Sequence, residues 1–311
     1  MTTLVATWTD GLCTVNGDSR RQEIASQPVR WLAADGRGAT LAIVGGHELR
    51  RRSADGDWVL VAASECELSC CVATGGEIFV GTDDARVLRL NADGRLEPLE
   101  SFDTVKGRDT WYAGSAIIDG KRVGPPLGIR SIAADAAGTV LLANVHVGGI
   151  PRSTDGGKTW QPTIDIDSDV HEVRVHPADP RILAAAAAVG LCISRDGGET
   201  WTVETEGLHA PHCSAVAFSG DAILVSASTS PFASEGRVYR RSLQADGAIE
   251  PLDHGLPTWL SGSPDTGCIA TSGASVAMAD RSGNLYLSSD FGETWSLTAR
   301  DLPAPSNVLI L

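Results

Sequence analysis

Three eight-residue stretches of the chain follow one template, and they constrain its fold more than any other feature. They read STDGGKTW at 153–160, SRDGGETW at 194–201 and SSDFGETW at 288–295. A motif that recurs inside longer similar segments indicates a repeat architecture. The length of 311 residues alone would allow either two average domains or one large repeat domain. The repeated template favours the repeat domain.

Each copy of the template follows the same succession of short apolar runs. Before the first copy the chain reads GIRSIAAD, GTVLLANV and GGIPRST, and TWQPT follows it. Runs of this kind, separated by Gly, Asp and Pro, are typical of strands linked by hairpins. With weaker copies included, we expect four-strand units at about 29–62, 67–99, 129–163, 170–204, 212–252 and 267–298.

The two ends of the chain complete a seventh unit. Residues 3–25 supply three strands, and residues 306–311 supply the missing fourth. A spacing of roughly 35–45 residues is that of propeller blades. We therefore predict an all-β, seven-bladed β-propeller of four-stranded antiparallel blades, with residues 1–311 as a single domain. The C-terminal strand joins the N-terminal blade and removes the free edges of an open array, whereas a parallel β-helix would not explain the split unit.

The repeated stretches resemble the Asp-box, or bacterial neuraminidase repeat, of sialidases, sortilin-type receptors and the photosystem II assembly propeller. This resemblance implies the propeller fold but no single activity. Sialidases hold a substrate carboxylate with three arginines and use a Tyr–Glu nucleophile. Here the sequence places only Arg30 and Arg130 at the corresponding rim and only Tyr112 near it, so sialidase activity is not expected.

The boxes also indicate which end of the blades carries function. Each box is the turn between the third and fourth strands of its unit. In an antiparallel sheet the turn between the first and second strands lies at the same end as this turn, and we call that end the bottom. The long connections 100–128, 228–236 and 254–267 all belong to the opposite end, the top. Long loops on one end of a rigid scaffold are where binding residues concentrate.

Histidines from three neighbouring blades are the main candidates at the top end. Neighbouring sheets pack about 10 Å apart, and an imidazole reaches roughly half that distance. We therefore expect His146, His171 and His212 to meet, with Cys268 as a further ligand. Such a set suits one transition metal, Zn, Cu or Fe. A metal-free polar pocket and a purely structural role for these residues remain as alternatives.

Further candidates surround this group. Arg130 would bind an anionic group, and the loop aromatics Trp111 and Tyr112 would complete a catalytic site. Expected ligand-binding residues are Arg30, Trp8, Trp259 and Asp83. For Trp111, Tyr112 and Trp259 the alternative is that they anchor the loops.

Composition excludes some partners and leaves two functions. The net charge is −14, from 25 Lys and Arg against 39 Asp and Glu, so nucleic acid and anionic membranes are not expected as partners. Seven cysteines without a C-x-x-C pair, and no signal-peptide pattern, indicate the cytoplasm. One function is a small-molecule site at the top mouth, in one form a metal-dependent enzyme with a His-rich centre. The other is a non-catalytic scaffold that binds a protein or peptide.

Overall fold

The computed structural model describes residues 1–114, 116–118, 121–124, 126–244 and 247–311. The chain divides into two compact units. The first unit comprises residues 1–32, 184–192 and 203–311, and the second comprises residues 33–183 and 193–202. Within the described ranges, no helix has the length and hydropathy needed to span a bilayer.

The strands, numbered in chain order, form seven four-stranded sheets among the described residues. The first sheet contains β1 (Thr2–Thr7), β2 (Gly11–Asn16), β3 (Ser19–Ala25) and the last strand, β30 (Pro305–Ile310). The second contains β4 (Val29–Ala34), β5 (Thr40–Val44), β6 (Glu48–Arg52) and β7 (Trp58–Ala63). The third contains β8 (Leu68–Thr74), β9 (Glu77–Thr82), β10 (Val87–Leu90) and β11 (Leu96–Pro98).

A long connection leads from the third sheet to the fourth. It contains a short helix α1 (Glu100–Asp103), a 3-10 turn (Arg108–Thr110) and the hairpin of β12 (Ala116–Ile118) and β13 (Lys121–Val123). The fourth sheet contains β14 (Gly128–Ala134), β15 (Leu141–His146), β16 (Pro151–Ser153) and β17 (Gln161–Pro162). A second 3-10 turn (Ile166–Ser168) follows.

The remaining three sheets repeat the pattern. The fifth contains β18 (Val170–Val175), β19 (Leu183–Ala187), β20 (Gly190–Ser194) and β21 (Thr202–Glu204). The sixth contains β22 (His212–Ser219), β23 (Ala222–Ser228), β24 (Arg237–Ser242) and β25 (Ile249–Pro251). The seventh contains β26 (Ile269–Ser272), β27 (Ser275–Ala279), β28 (Leu285–Ser288) and β29 (Ser296–Ala299). The fold is the predicted seven-bladed β-propeller of antiparallel sheets.

The C-terminal strand closes the first sheet as predicted. β30 runs antiparallel to β1, with Leu4 opposite Leu309 and Val5 opposite Val308. A further backbone hydrogen bond of 3.0 Å joins the Leu311 amide to the Thr2 carbonyl. The edge that β1 would otherwise expose is therefore paired.

The core lies between neighbouring sheets, because both faces of the inner strands are covered. Every residue of β5, β19 and β23 is buried. Their sequences are accordingly near-continuous apolar runs, as expected of strands covered on both faces. Between the sixth and seventh sheets, Leu256, Tyr286 and Trp295 pack in one cluster. Burial of each such large side chain contributes about 1.5–3 kcal/mol.

The Asp-box turn is held by hydrogen bonds from its own residues. Asp155 accepts hydrogen bonds from the backbone amides of Lys158 (3.0 Å) and Thr159 (2.9 Å) and from the Thr159 hydroxyl (2.7 Å). These donors hold the pKa of Asp155 at about 2. Gly157 adopts φ +84°, and Trp160 is buried with its indole N–H donating to the Gly157 carbonyl. Asp196 and Asp290 make equivalent bonds, so the predicted structural role of the boxes is confirmed.

Candidate metal centre

His146 lies where strand β15 ends at the top of the fourth sheet. The following turn is closed by the Val145 amide, which donates to the Gly149 carbonyl at 3.0 Å. Apart from Asn144, the residues that precede His146 in β15 are apolar, and the strand is buried throughout. The histidine is consequently only 4% exposed. A buried imidazole at a strand end is held in place by its neighbours.

Asp169 and His171 come from the connection that enters the fifth sheet. The Asp165 carboxylate accepts from the Asp167 amide at 2.9 Å and caps the 3-10 turn. Asp169 then ends the turn in the left-handed region, at φ 49°. His171 is the second residue of β18 and is 4% exposed. Because Asp169 and His171 are two residues apart, both reach the same place from one chain segment.

The three side chains form a compact donor group. Nε2 of His146 lies 2.9 Å from Oδ1 of Asp169, and Nε2 of His171 lies 3.8 Å from Oδ2 of the same residue. The imidazole centroids are 5.5 Å apart. Metal–nitrogen bonds of about 2.0–2.1 Å in a tetrahedral arrangement separate the ligand atoms by roughly 3.3 Å. The two observed distances lie on either side of that value, so small adjustments would fit the group to a metal ion.

The electrostatics of the cluster favour a charged carboxylate. Burial raises the pKa of Asp169, but His146, His171 and Arg130 together lower it by more. The net pKa is therefore below the usual value of an aspartate. An ionised carboxylate beside two imidazoles is the donor chemistry that Zn and non-haem Fe select. Arg130, a predicted catalytic residue on β14, therefore lies within electrostatic reach of the cluster.

A loop of the long connection lies against His146. Tyr112 and Val147 exchange two backbone hydrogen bonds, of 3.0 and 2.7 Å. Two residues on, Gly114 approaches the histidine so closely that an added Cβ would lie 1.9 Å from Cε1 of the ring. Only glycine leaves room for this imidazole. The Tyr112 side chain is half exposed, and desolvation together with the charges of Asp167 and Asp169 raises its pKa.

The structure favours the anchoring alternative for Trp111. Its side chain is buried, with its ring 5.9 Å from that of Phe102. The Arg108 guanidinium lies 4.9 Å from the centroid of the Trp111 ring. Trp111 thus fixes the base of the loop that carries Tyr112 and Gly114.

The other predicted residues have the following places. Asp83 follows β9, and its backbone packs on Gly128, which is paired with His146 in the sheet. The remaining ones belong to the first unit: Arg30 on β4, Trp8 after β1, Trp259 edge-on to His209, His212 at the start of β22, and buried Cys268 before β26. The cluster of described residues contains neither His212 nor Cys268. Their roles, and those of Arg30, Trp8, Trp259 and Asp83, stay predictions. Residues 115, 119, 120 and 125 of the predicted insertion 100–128 lie outside the described residues.

Sequence reasoning missed Asp169. It lies in the stretch DIDSDV, where three aspartates alternate along a connection. Asp165 has the usual capping role, and nothing in the local pattern distinguishes Asp169 from it. The available signal was position, since Asp169 stands two residues before a histidine already predicted as a ligand.

Comparison with known proteins agrees with the fold. The BNR/Asp-box repeat model matches residues 152–162. The chain is a β-propeller that carries the BNR/Asp-box repeat. No match is found among curated proteins.

Solved structures of similar fold come from proteins of different kinds. The WD40 propeller domain of Doa1 has 13% identity and a TM-score of 0.63, over 98% of this chain and 88% of that one. YCF48 bound to D1 peptide has 15% identity and a TM-score of 0.56, over 86% and 81%. The GH74 enzyme of Niastella koreensis has 12% identity and a TM-score of 0.60, and 94% of this chain spans 46% of that enzyme's length. At these identities the likeness is one of fold.

Proposed function

We propose that this propeller binds one divalent transition metal ion through His146, Asp169 and His171, and presents it to a small-molecule ligand at the top end of the fourth and fifth sheets. The observation that carries the proposal is the convergence of three donor side chains within 4.8 Å of one another. Two of them, the histidines, are almost fully buried. The two-His, one-carboxylate set suits Zn or Fe, with positions left for other ligands.

The exposure of the cluster supports an accessible metal. Asp169 is one-third exposed while both histidines are covered, so the donor group opens to solvent on the aspartate side. Arg130 lies near enough to influence Asp169 and would favour an anionic group on a bound ligand. A small anionic molecule is therefore the ligand class that we propose.

An enzyme is one form of this proposal. A metal with three protein ligands supplies Lewis acidity and lowers the pKa of bound water. In this chain the residues that would act beside it are Arg130, which would orient an anionic group, and Tyr112, whose half-exposed side chain interacts with Asp167. Its hydroxyl would serve as a proton donor.

The cytoplasmic location forms part of the same proposal. Its support is the state of the cysteines: all seven are free thiols, and six of them are buried. Reduced thiols are typical of a reducing compartment.

Metal analysis of protein purified without a histidine tag tests the proposal. We expect one bound Zn or Fe per chain, or tight uptake of Zn²⁺ and Co²⁺ by the chelator-treated protein. His171→Ala should abolish binding. His254→Ala, at an exposed histidine of the first unit, is the matched control and should bind normally. Wild-type protein without affinity for these ions, or equal binding by His171→Ala, would contradict the proposal.

The second candidate is a non-catalytic, peptide- or protein-binding propeller. What favours it is the similarity to YCF48, whose structure contains the D1 peptide. Binding of a peptide partner that is unchanged in His171→Ala and in the presence of a chelator, by a protein that takes up no metal, would support this candidate.

A further inference from the structure

Asn144 is buried in a way that its local fold does not explain. It lies in the middle of β15, and its side chain is 0% exposed. Neither the nitrogen nor the oxygen of its carboxamide has a hydrogen-bond partner among the described residues. Nδ1 of His146, two residues further, is likewise buried without a partner. Buried polar atoms in native proteins are nearly always hydrogen-bonded, so these atoms are expected to have a partner such as an enclosed water.

Both side chains face the gap between the fourth and fifth sheets. Residues two apart in a strand project from the same face. Ser131 pairs with Asn144 in the sheet, and its hydroxyl accepts a hydrogen bond from the Val173 amide of β18 at 3.1 Å. The face that carries Asn144 is thus the one turned towards β18, the strand that supplies His171.

The spacing of the two residues allows one water molecule to bridge them. Strand residues i and i+2 lie about 6.6 Å apart along the strand. Two hydrogen bonds of about 2.8–3.0 Å through one water join atoms that are roughly 5–6 Å apart.

We infer that Asn144 is a positioning residue of the metal site, which acts on His146 through one enclosed water. Nε2 of His146 lies 2.9 Å from Oδ1 of Asp169, so Nε2 is the nitrogen that would bind the metal and Nδ1 is the one left for Asn144. Metal-ligating histidines usually donate the N–H of their other ring nitrogen to a second polar group. The carboxamide oxygen of Asn144 can accept that hydrogen bond through the water.

This inference rests on the proposed function for its metal-bound half, and two substitutions at one position test it. Asn144→Leu keeps the approximate size but removes both polar atoms, so we expect zinc to bind about 10–100-fold more weakly. Asn144→Asp keeps an acceptor for the Nδ1 proton, so zinc should bind as in the wild type or more tightly. Leu141→Val, on the opposite face of β15, is the control for disturbed packing and should leave the zinc Kd unchanged.

The dissociation constants are measured by competition with a chromophoric chelator. A zinc Kd of Asn144→Leu within twofold of wild type overturns the inference. So does an equal loss in Asn144→Leu and Asn144→Asp, because altered packing alone would then account for both.

The metal-free protein gives an independent readout. Long-range ¹H–¹⁵N spectra report which ring nitrogen of His146 carries hydrogen. Asn144→Asp, which offers only an acceptor, should move the Nδ1 resonance towards the N–H position relative to wild type. An unchanged resonance overturns the link between the two residues. This measurement needs neither zinc nor a folded Asn144→Leu protein. A wild-type chain that binds no metal would therefore refute the proposed function without deciding the link between Asn144 and His146.

Discussion

Replacing Gly114 with alanine should disable the metal site while leaving the propeller folded. The added Cβ would lie 1.9 Å from Cε1, 2.4 Å from Nδ1 and 2.9 Å from Nε2 of His146. Carbon atoms pack at about 3.5–4.0 Å, so the ring must move by roughly 1.5 Å. The loop itself is held by the two hydrogen bonds between Tyr112 and Val147 and by buried Trp111. The imidazole is therefore the part that we expect to give way.

A displacement of this size is far beyond what a metal site tolerates. Ligand distances in working sites vary by about 0.2 Å. We expect Gly114→Ala to weaken zinc binding at least 100-fold. Overpacking of this kind costs about 1–3 kcal/mol of folding free energy, so the protein should still be folded at room temperature.

The assay is zinc competition at constant pH, with circular dichroism and a thermal melt on the same samples. Gly17→Ala is the matched control. Its φ of +55° strains an alanine in the same kind of substitution, but the added Cβ meets no atom within 4 Å. It should lower stability without changing the zinc Kd. If Gly114→Ala binds zinc as tightly as the wild type, the backbone at Gly114 does not fix His146, and the reasoning is wrong.

Three further predictions concern the scaffold. Asp155→Ala should lower Tm by about 2–4 °C, because the lost turn hydrogen bonds are together comparable to one helix cap. Because the pKa of Asp155 is about 2 in the folded protein, this stabilisation is complete above the ordinary pKa near 3.8 and is lost as pH falls towards 2, which acid titration of both proteins would show. Arg241→Gln should cost about 3 kcal/mol in urea unfolding, because it leaves Glu204 without its buried partner, whereas Arg181→Gln at an exposed pair should cost under about 1 kcal/mol. Equal costs for the two would contradict the burial argument. Deleting residues 305–311 should expose the edge of β1 and cause aggregation on size-exclusion chromatography; a monodisperse, equally stable product would show that closure by β30 is dispensable.

The sequence predicts the fold through local chemistry. Ser153, Asp155, Gly157 and Trp160 each have a role within one turn, so their spacing is visible in the chain. The recurrence of four strands per unit, with three N-terminal strands completed by one C-terminal strand, then fixes the number of blades. The closure by β30 follows because only the C-terminal strand completes the first sheet.

The site is less visible because its parts meet only in the fold. His146 and His171 are predicted from the ends of their strands, and the structure brings them together. Asp169 cannot be recognised from the sequence, because it lies in a stretch of three aspartates, any of which could cap the 3-10 turn. The role of Gly114 depends on its approach to His146, 32 residues away in the chain, and that of Asn144 depends on its burial in the fold. Neither has a sequence pattern of its own.

The ligands also determine which parts of the molecule a metal would tie together. His146 ends a strand of the fourth sheet, while Asp169 and His171 enter the fifth. In repeat proteins the coupling between adjacent modules decides whether they open separately or together. An ion at this junction would link the two blades through its ligands. Amide hydrogen exchange in β15 and β18 should then slow together when metal is added and recover together when it is removed. Metal occupancy would therefore determine whether the two blades unfold cooperatively or separately.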